Sequence, residues 1–107
     1  MPVIHIEYDD KTVSETDIKT LCKGVHEVTS TVTGIEDVPV YANCSRVTFA
    51  IAPIEIFIRL SAHKIKDLDS LMNELKAALS KWKVEQNYPH KINMSLIPMG
   101  WKIEIDV

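Results

Sequence analysis

The sequence predicts an α+β domain built from two tandem β-α-β units. Three observations support this fold class: short runs in which apolar and polar residues alternate, two apolar stripes at helical spacing between those runs, and a second half that repeats the order of the first. The chain has 107 residues, which is enough for one modest hydrophobic core. We therefore predict a single domain, 1–107, composed of pseudo-repeats at about 1–52 and 53–107.

The first unit begins with a strand at residues 3–8, where apolar and polar side chains alternate. Ser14 or Thr16 is a candidate N-cap for the helix that follows, and acidic residues in its first turn suit the positive end of the helix dipole. Gly34 is the expected C-cap. The buried face of this helix is predicted to consist of Ile18, Leu21, Cys22, Val25, Val28, Thr29 and Val32.

Two further strands are predicted near the middle of the chain. We interpret residues 35–43, which include Pro39, as a connection, and residues 45–52 as the second strand. Apolar residues at every second position of 54–60 predict the third strand.

The second unit repeats the pattern. Asp67 is the expected N-cap of a second helix, whose stripe lies at a constant offset from the first. A turn at 87–89 leads to a fourth strand that starts near Ile92 and is broken at 98–100, and the alternating tail 101–107 is predicted to form a short fifth strand. The second stripe consists of Leu68, Leu71, Met72, Leu75, Ala78, Leu79 and Trp82.

These elements predict a four-stranded mixed sheet with both helices on one face. Each helix is a crossover long enough to join parallel strands, and such crossovers are right-handed. The other face carries Val3, Phe57 and Ile97 among polar residues and has no cover within the chain. Packing against other copies of the chain is the simplest cover, and the alternating tail is suited to dock on a neighbour's sheet edge.

The net charge, the hydropathy and the cysteine and histidine content argue against several classes of protein. A net charge of −3 disfavours non-specific binding to nucleic acid. No apolar run is long enough to span a membrane, and no signal peptide is visible. Cys22 and Cys44 do not form a disulfide framework, which indicates a reducing cytoplasm. The four histidines show no metal-ligand spacing, and no glycine-rich phosphate loop is present, so we predict neither a metal nor another cofactor.

Pro2 is the residue with the clearest catalytic potential. Removal of Met1, which a small second residue permits, would leave a secondary amine at the head of the first strand. An amine held in apolar surroundings is a candidate general base, because burial disfavours its charged form. The alternative is that a Met-Pro start has no catalytic meaning.

The pattern as a whole resembles the tautomerase superfamily, and within it 5-carboxymethyl-2-hydroxymuconate delta-isomerase most of all. Four segments carry this resemblance: 1–7, 33–35, 45–47 and 57–64. The resemblance covers nearly the whole chain, with Pro2 as its one specific motif. It implies a homotrimer with sites near subunit boundaries, and an amino-terminal proline that moves a proton between carbons of an unsaturated keto or enol acid.

The resemblance also implies cationic side chains that hold the carboxylates of a small anionic substrate. Lys64 falls where that isomerase has an arginine, and Arg46 matches another of its arginines, whereas Cys44 stands where a third would be. Arg59 is predicted to lie on the face without helices. We hypothesise that Arg46 or Arg59, together with Lys64, binds substrate carboxylates. The alternative is a surface ion pair with Glu55 or Glu7.

The sequence thus predicts an isomerase of the tautomerase type with Pro2 as acid and base. The alternative is a small oligomeric binding or assembly module of the same fold without catalysis.

Overall fold

The computed structural model describes residues 2–44, 49, 52–100 and 102–107. The described elements are β1 (Val3–Tyr8), α1 (Glu15–Thr33), β2 (Val40–Cys44), β3 (Ile54–Ser61), a 3-10 turn (Ala62–Lys64), α2 (Leu68–Glu85) and β4 (Ile92–Met99).

The strands form one mixed sheet in the order β2-β1-β3-β4. Each β-α-β unit contributes a parallel pair, β1 with β2 and β3 with β4, and the two units meet through the antiparallel pair β1 and β3. This topology confirms the predicted fold class of two tandem units around a four-stranded sheet.

The core lies between the two helices and one face of the sheet. Alternate residues of β1 and β3, such as Ile4, Ile6 and Ile56, are fully buried there. Both predicted helix stripes face this layer, although Leu68 is 41% exposed because it is the first residue of α2. The core residues from the helices are Ile18, Leu21, Val25, Thr29, Leu75, Leu79 and Trp82.

The predicted caps are confirmed. The side chain of Ser14, one of the two candidates, accepts a hydrogen bond from the amide of Asp17 at 3.1 Å. Gly34 adopts the left-handed conformation (φ 72°) that ends α1, and Asp67 accepts from the amide of Ser70 at 3.2 Å. These caps satisfy amides and carbonyls that the helix ends leave without partners.

Two predicted boundaries were wrong. β2 begins at Val40, inside the segment interpreted as a connection, because Pro39 precedes the strand rather than interrupting it, and its carbonyl accepts from the amide of Ile4 at 3.0 Å. Most of the predicted second strand, 45–52, lies outside the described residues. β4 runs through Pro98 to Met99, because an edge strand tolerates a proline whose missing amide faces away from the sheet.

Residues 102–107 form no strand within the single chain, whereas the preceding Trp101 lies outside the described residues. Their side chains project into solvent, with Ile105 84% exposed. A strand needs a partner edge, and this segment pairs with none of the four described strands. Neither of the two described helices combines the length and apolar character that a membrane crossing requires.

Candidate active site

Pro2 lies at the end of the sheet where β1 begins, and it is fully buried. Val3 stands opposite Arg59 in the antiparallel register, so continuing that register by one residue brings Pro2 to the level of Leu60. Side chains alternate along a strand, which directs Pro2 toward the same face as the buried Ile4. Pro2 therefore belongs to the helix face at the rim of the core.

A cleft of about 640 Å³ opens at this same end of the sheet. The end of α1 and the α1–β2 connection line one wall, and the segment from Ile65 into α2 lines the other. Leu60, the neighbour of Pro2 by register, lies between them. The lining residues are Val32, Thr33, Ile35, Asp37, Leu60, Ile65, Lys66, Asp67, Ser70, Leu71 and Glu74.

The cleft combines an apolar floor with a charged rim. Two of its polar groups already have partners: the Thr33 hydroxyl donates to the carbonyl of Thr29 at 2.7 Å, and Asp67 caps α2. Lys66 is the one cation among the described lining residues, and Asp37 and Glu74 add carboxylates at the rim. The arrangement can bind a mainly apolar molecule with few ionic contacts.

Arg59 occupies the opposite, helix-free face, as predicted. Its Nη1 lies 3.1 Å from Nδ1 of His5, and its guanidinium lies 5.9 Å from the centroid of the Phe57 ring. Arginine only donates hydrogen bonds, so Nδ1 of His5 accepts here and the hydrogen of the neutral ring lies on Nε2. His5 in turn stacks on Tyr41, with centroids 5.3 Å apart. Within one chain Arg59 and the cleft thus lie on different faces of the sheet.

The other two predicted cations are Lys64 and Arg46. The backbone of Lys64 ends the 3-10 turn that leads to Ile65 and Lys66 on the wall of the cleft. Arg46 lies outside the described residues. Of the carboxylates suggested as partners of Arg59, Glu55 accepts from the side-chain amide of Asn93 at 3.4 Å.

Sequence reasoning missed Lys66 and the two rim carboxylates. The signal available was position: residues next to a helix cap, or in a connection at the strand ends that flank Pro2, tend to line clefts. Asp37 and Lys66 both meet that description, since they lie in the α1–β2 and β3–α2 connections.

Among the residues that the structure describes, the thiols and the acidic groups show no second reactive centre. Burial raises the pKa of the Cys22 thiol, which disfavours the reactive thiolate. Cys44 is exposed at the end of β2. Within the described part of the chain, no group of three or more histidine, cysteine, aspartate or glutamate side chains is placed to hold a metal ion.

Comparison with solved structures identifies the fold. The structure is similar to a macrophage migration inhibitory factor-like protein from Entamoeba histolytica, with a TM-score of 0.67 and 18% identity over 96% of this chain and 95% of that one. It is also similar to a 5-carboxymethyl-2-hydroxymuconate isomerase from Deinococcus radiodurans R1 (TM-score 0.65, 15% identity, 97% and 90% covered). A third similar structure is a fused 4-OT wild-type symmetric trimer (TM-score 0.65, 13% identity, 91% and 85% covered).

The chain therefore has the tautomerase fold, which it shares with isomerases. No protein-family model matches the sequence, and no curated protein matches it. At 13–18% identity the likeness establishes the fold, and the chemistry has to be argued from the site itself.

Proposed function

We propose that this protein is an isomerase that interconverts enol and keto forms, or double-bond isomers, of an unsaturated hydroxy or keto carboxylic acid. The observation that carries the proposal is the burial of Pro2 at the level of Leu60, a residue that lines the cleft. Removal of Met1 would turn the nitrogen of Pro2 from an amide into a secondary amine at this position.

A neutral amine there suits the proton transfer. An α-amino group ordinarily titrates near pH ~8, and apolar surroundings together with a nearby cation favour its neutral form at physiological pH. Proline also fixes its own φ, so the lone pair is directed with little loss of entropy. The amine would take a proton from the carbon next to the substrate carbonyl and return it to a different carbon.

Cations would stabilise the negative charge that develops on the substrate oxygen and hold its carboxylate. Lys66 lines the cleft, and Lys64 lies two residues before it. Arg59 would serve a cleft only across a subunit boundary, because it lies on the helix-free face of its own chain. Arg46 remains the other candidate from the resemblance. No cofactor is needed for this chemistry.

Two observations support an oligomer: the apolar residues on the helix-free face of the sheet, and the assembly of a similar solved structure. The helix-free face presents Val3, Phe57 and Ile97, all half-buried in the single chain, and a similar solved structure is a trimer. We propose a homotrimer that acts on a small anionic substrate in the cytoplasm, where the free thiols of Cys22 and Cys44 stay reduced.

The test measures both the removal of Met1 and the catalytic activity of the protein. The intact mass of protein from its native cell reports whether Met1 has been removed, and a ketonisation assay with a simple 2-hydroxydienoate reports turnover. We expect loss of Met1 and a fall in kcat/KM of about 10²- to 10⁴-fold for Pro2→Ala, with no change for the control Pro53→Ala. The pH–rate profile of the processed protein should show one basic group, which Pro2→Ala shifts.

Two outcomes would contradict the proposal. Retention of Met1 in the native cell would leave Pro2 an amide that cannot act as a base. Inactivity of protein with a confirmed free Pro2 would instead favour the alternative, a binding or assembly module of the same fold.

A further inference from the structure

Asp37 and Glu74 approach the cleft from its two walls. Asp37 lies in the connection from α1 to β2, and Glu74 lies on α2, six residues after its first residue. Both side chains are exposed, and neither makes an ion pair among the described side chains. Each therefore keeps its negative charge available to a molecule that enters between the walls.

The remaining charges of the lining do not offset this pair. Asp67 is a third carboxylate, although its bond to the amide of Ser70 and its place at the start of α2 compensate part of its charge. Lys66 is the only cation among the described lining residues. Between these groups the floor is apolar and consists of Val32, Ile35, Leu60, Ile65 and Leu71.

We propose that Asp37 and Glu74 determine the charge of the substrate: the cleft accepts an enol or keto acid with one carboxylate and an uncharged, apolar remainder, and it rejects a second carboxylate. This inference rests on the proposed function. One carboxylate has a partner in Lys66, the apolar remainder has a floor to lie on, and a second carboxylate would meet two unpaired negative charges. Charge repulsion in partly solvated surroundings lowers affinity by roughly five-fold for each charge, and salt screens it.

The test compares two substrates of equal carbon skeleton, a 2-hydroxydienoate with a terminal methyl group and the corresponding 2-hydroxydienedioate. We expect wild-type kcat/KM to favour the monoacid by about 10-fold or more at low salt. Asp37→Asn and Glu74→Gln should each raise kcat/KM for the diacid about three- to ten-fold relative to that for the monoacid. The control Glu27→Gln, an exposed carboxylate on α1 away from this cleft, should change neither value.

Salt and equilibrium binding give independent readouts. At about 0.5 M KCl the preference of the wild type should shrink toward that of the two variants, because the charges are then screened. Binding of the saturated monoacid and diacid, measured by titration calorimetry, gives the same comparison without turnover. Selective binding of the monoacid that survives Pro2→Ala would uphold this inference even if the catalytic role of Pro2 fails.

The inference would be overturned if the wild type bound or converted the diacid as well as the monoacid. It would also be overturned if Asp37→Asn and Glu74→Gln both left the ratio of the two substrates unchanged. Both residues are exposed, so these variants should retain the fold of the wild type, which circular dichroism checks.

Discussion

Gly24 shows how closely the two helices approach. It is buried in the middle of α1, where a Cβ atom would overlap the indole ring of Trp82 on α2. Replacing a helical glycine with alanine ordinarily stabilises an exposed helix by about 1 kcal/mol. Here we expect the opposite sign, a loss of about 1–3 kcal/mol from the free energy of unfolding, because the overlap forces the helices apart.

Urea unfolding of Gly24→Ala measures this effect. Lys23→Ala, an exposed neighbour on the same helix, serves as the control and should change stability by less than about 0.5 kcal/mol. A second substitution, Trp82→Phe, should recover part of the loss in the Gly24→Ala background. An alanine variant as stable as the wild type would show that the helices adapt without cost.

Because of Tyr88, the free energy of unfolding should depend on pH in the alkaline range. Its hydroxyl donates to the carbonyl of Asp17 at 2.8 Å, and burial, with a smaller contribution from the Asp17 carboxylate, raises its pKa above the ordinary value of 10.0. The folded state therefore favours the neutral phenol. The corresponding stabilisation is complete below pH 10 and is lost as the pH rises through the raised pKa of the folded protein.

We expect Tyr88→Phe to be less stable than the wild type by about 1 kcal/mol near pH 8, because the hydrogen bond is gone. Above pH 10 that difference should narrow, since only the wild type has the Tyr88 phenol, whose ionisation in the unfolded chain costs it stability. Urea midpoints across this range measure the difference, and Tyr41→Phe, at a 53% exposed site, is the control. A difference that stays constant with pH would refute the assignment.

The two helix caps make a matched pair at the scale of elements. Ser14 and Asp67 each accept one amide hydrogen bond, at 3.1 and 3.2 Å, but only α2 begins at the wall of the cleft. Ser14→Ala and Asp67→Ala should each cost about 1 kcal/mol of stability. Only Asp67→Ala should also raise KM, because it loosens that wall.

Asp67→Asn separates the cap from the charge. Asparagine caps a helix as well as aspartate does, so this variant should restore both stability and KM. Equal KM changes in Ser14→Ala and Asp67→Ala would mean that the start of α2 does not shape the cleft.

Sequence periodicity predicted the elements whose burial is one-sided and regular. β1, β3 and both helices alternate or repeat cleanly, because each buries one face against the same core. β2 was misplaced, since Val40–Cys44 lies at a sheet edge with only partial burial, and Pro39 was interpreted as a break. The cleft was beyond sequence reasoning because two stretches distant in the chain, 32–37 and 60–74, form it. Only the register of β1 with β3, continued by one residue, brings Pro2 to the level of Leu60.

At the scale of the whole molecule, the two units bury their helices against one sheet face, and no described helix or strand covers the other face. That face is neither fully polar nor fully apolar. Phe57 and Ile97 are half-buried near the paired Arg59 and His5, whereas Asn93 and Ser95 are exposed. A mixed surface of this kind is typical of a contact between protein copies, and it places Arg59 where a neighbouring copy can reach it.

If the helix-free face is a contact between copies of the chain, assembly should depend on Phe57. The wild type should have a solution mass about three times the 12.1 kDa of the chain, and Phe57→Glu should reduce it to one chain, because an unpaired carboxylate in a buried contact is strongly disfavoured. Light scattering coupled to size-exclusion chromatography measures the mass. Val84→Glu, at an 82% exposed position on α2, is the matched control and should assemble normally.

Activity measurements test whether assembly is needed to complete the candidate active site. If Arg59 of one copy contributes to the cleft of another, the monomeric variant Phe57→Glu should lose turnover, and so should Arg59→Ala. The circular dichroism spectrum of Phe57→Glu should still show the helices of the wild type. A monomeric Phe57→Glu variant with full activity would show that the site lies within one chain and does not include Arg59. A wild-type protein that is itself monomeric at micromolar concentration would contradict the proposed assembly through the face that carries Val3, Phe57 and Ile97.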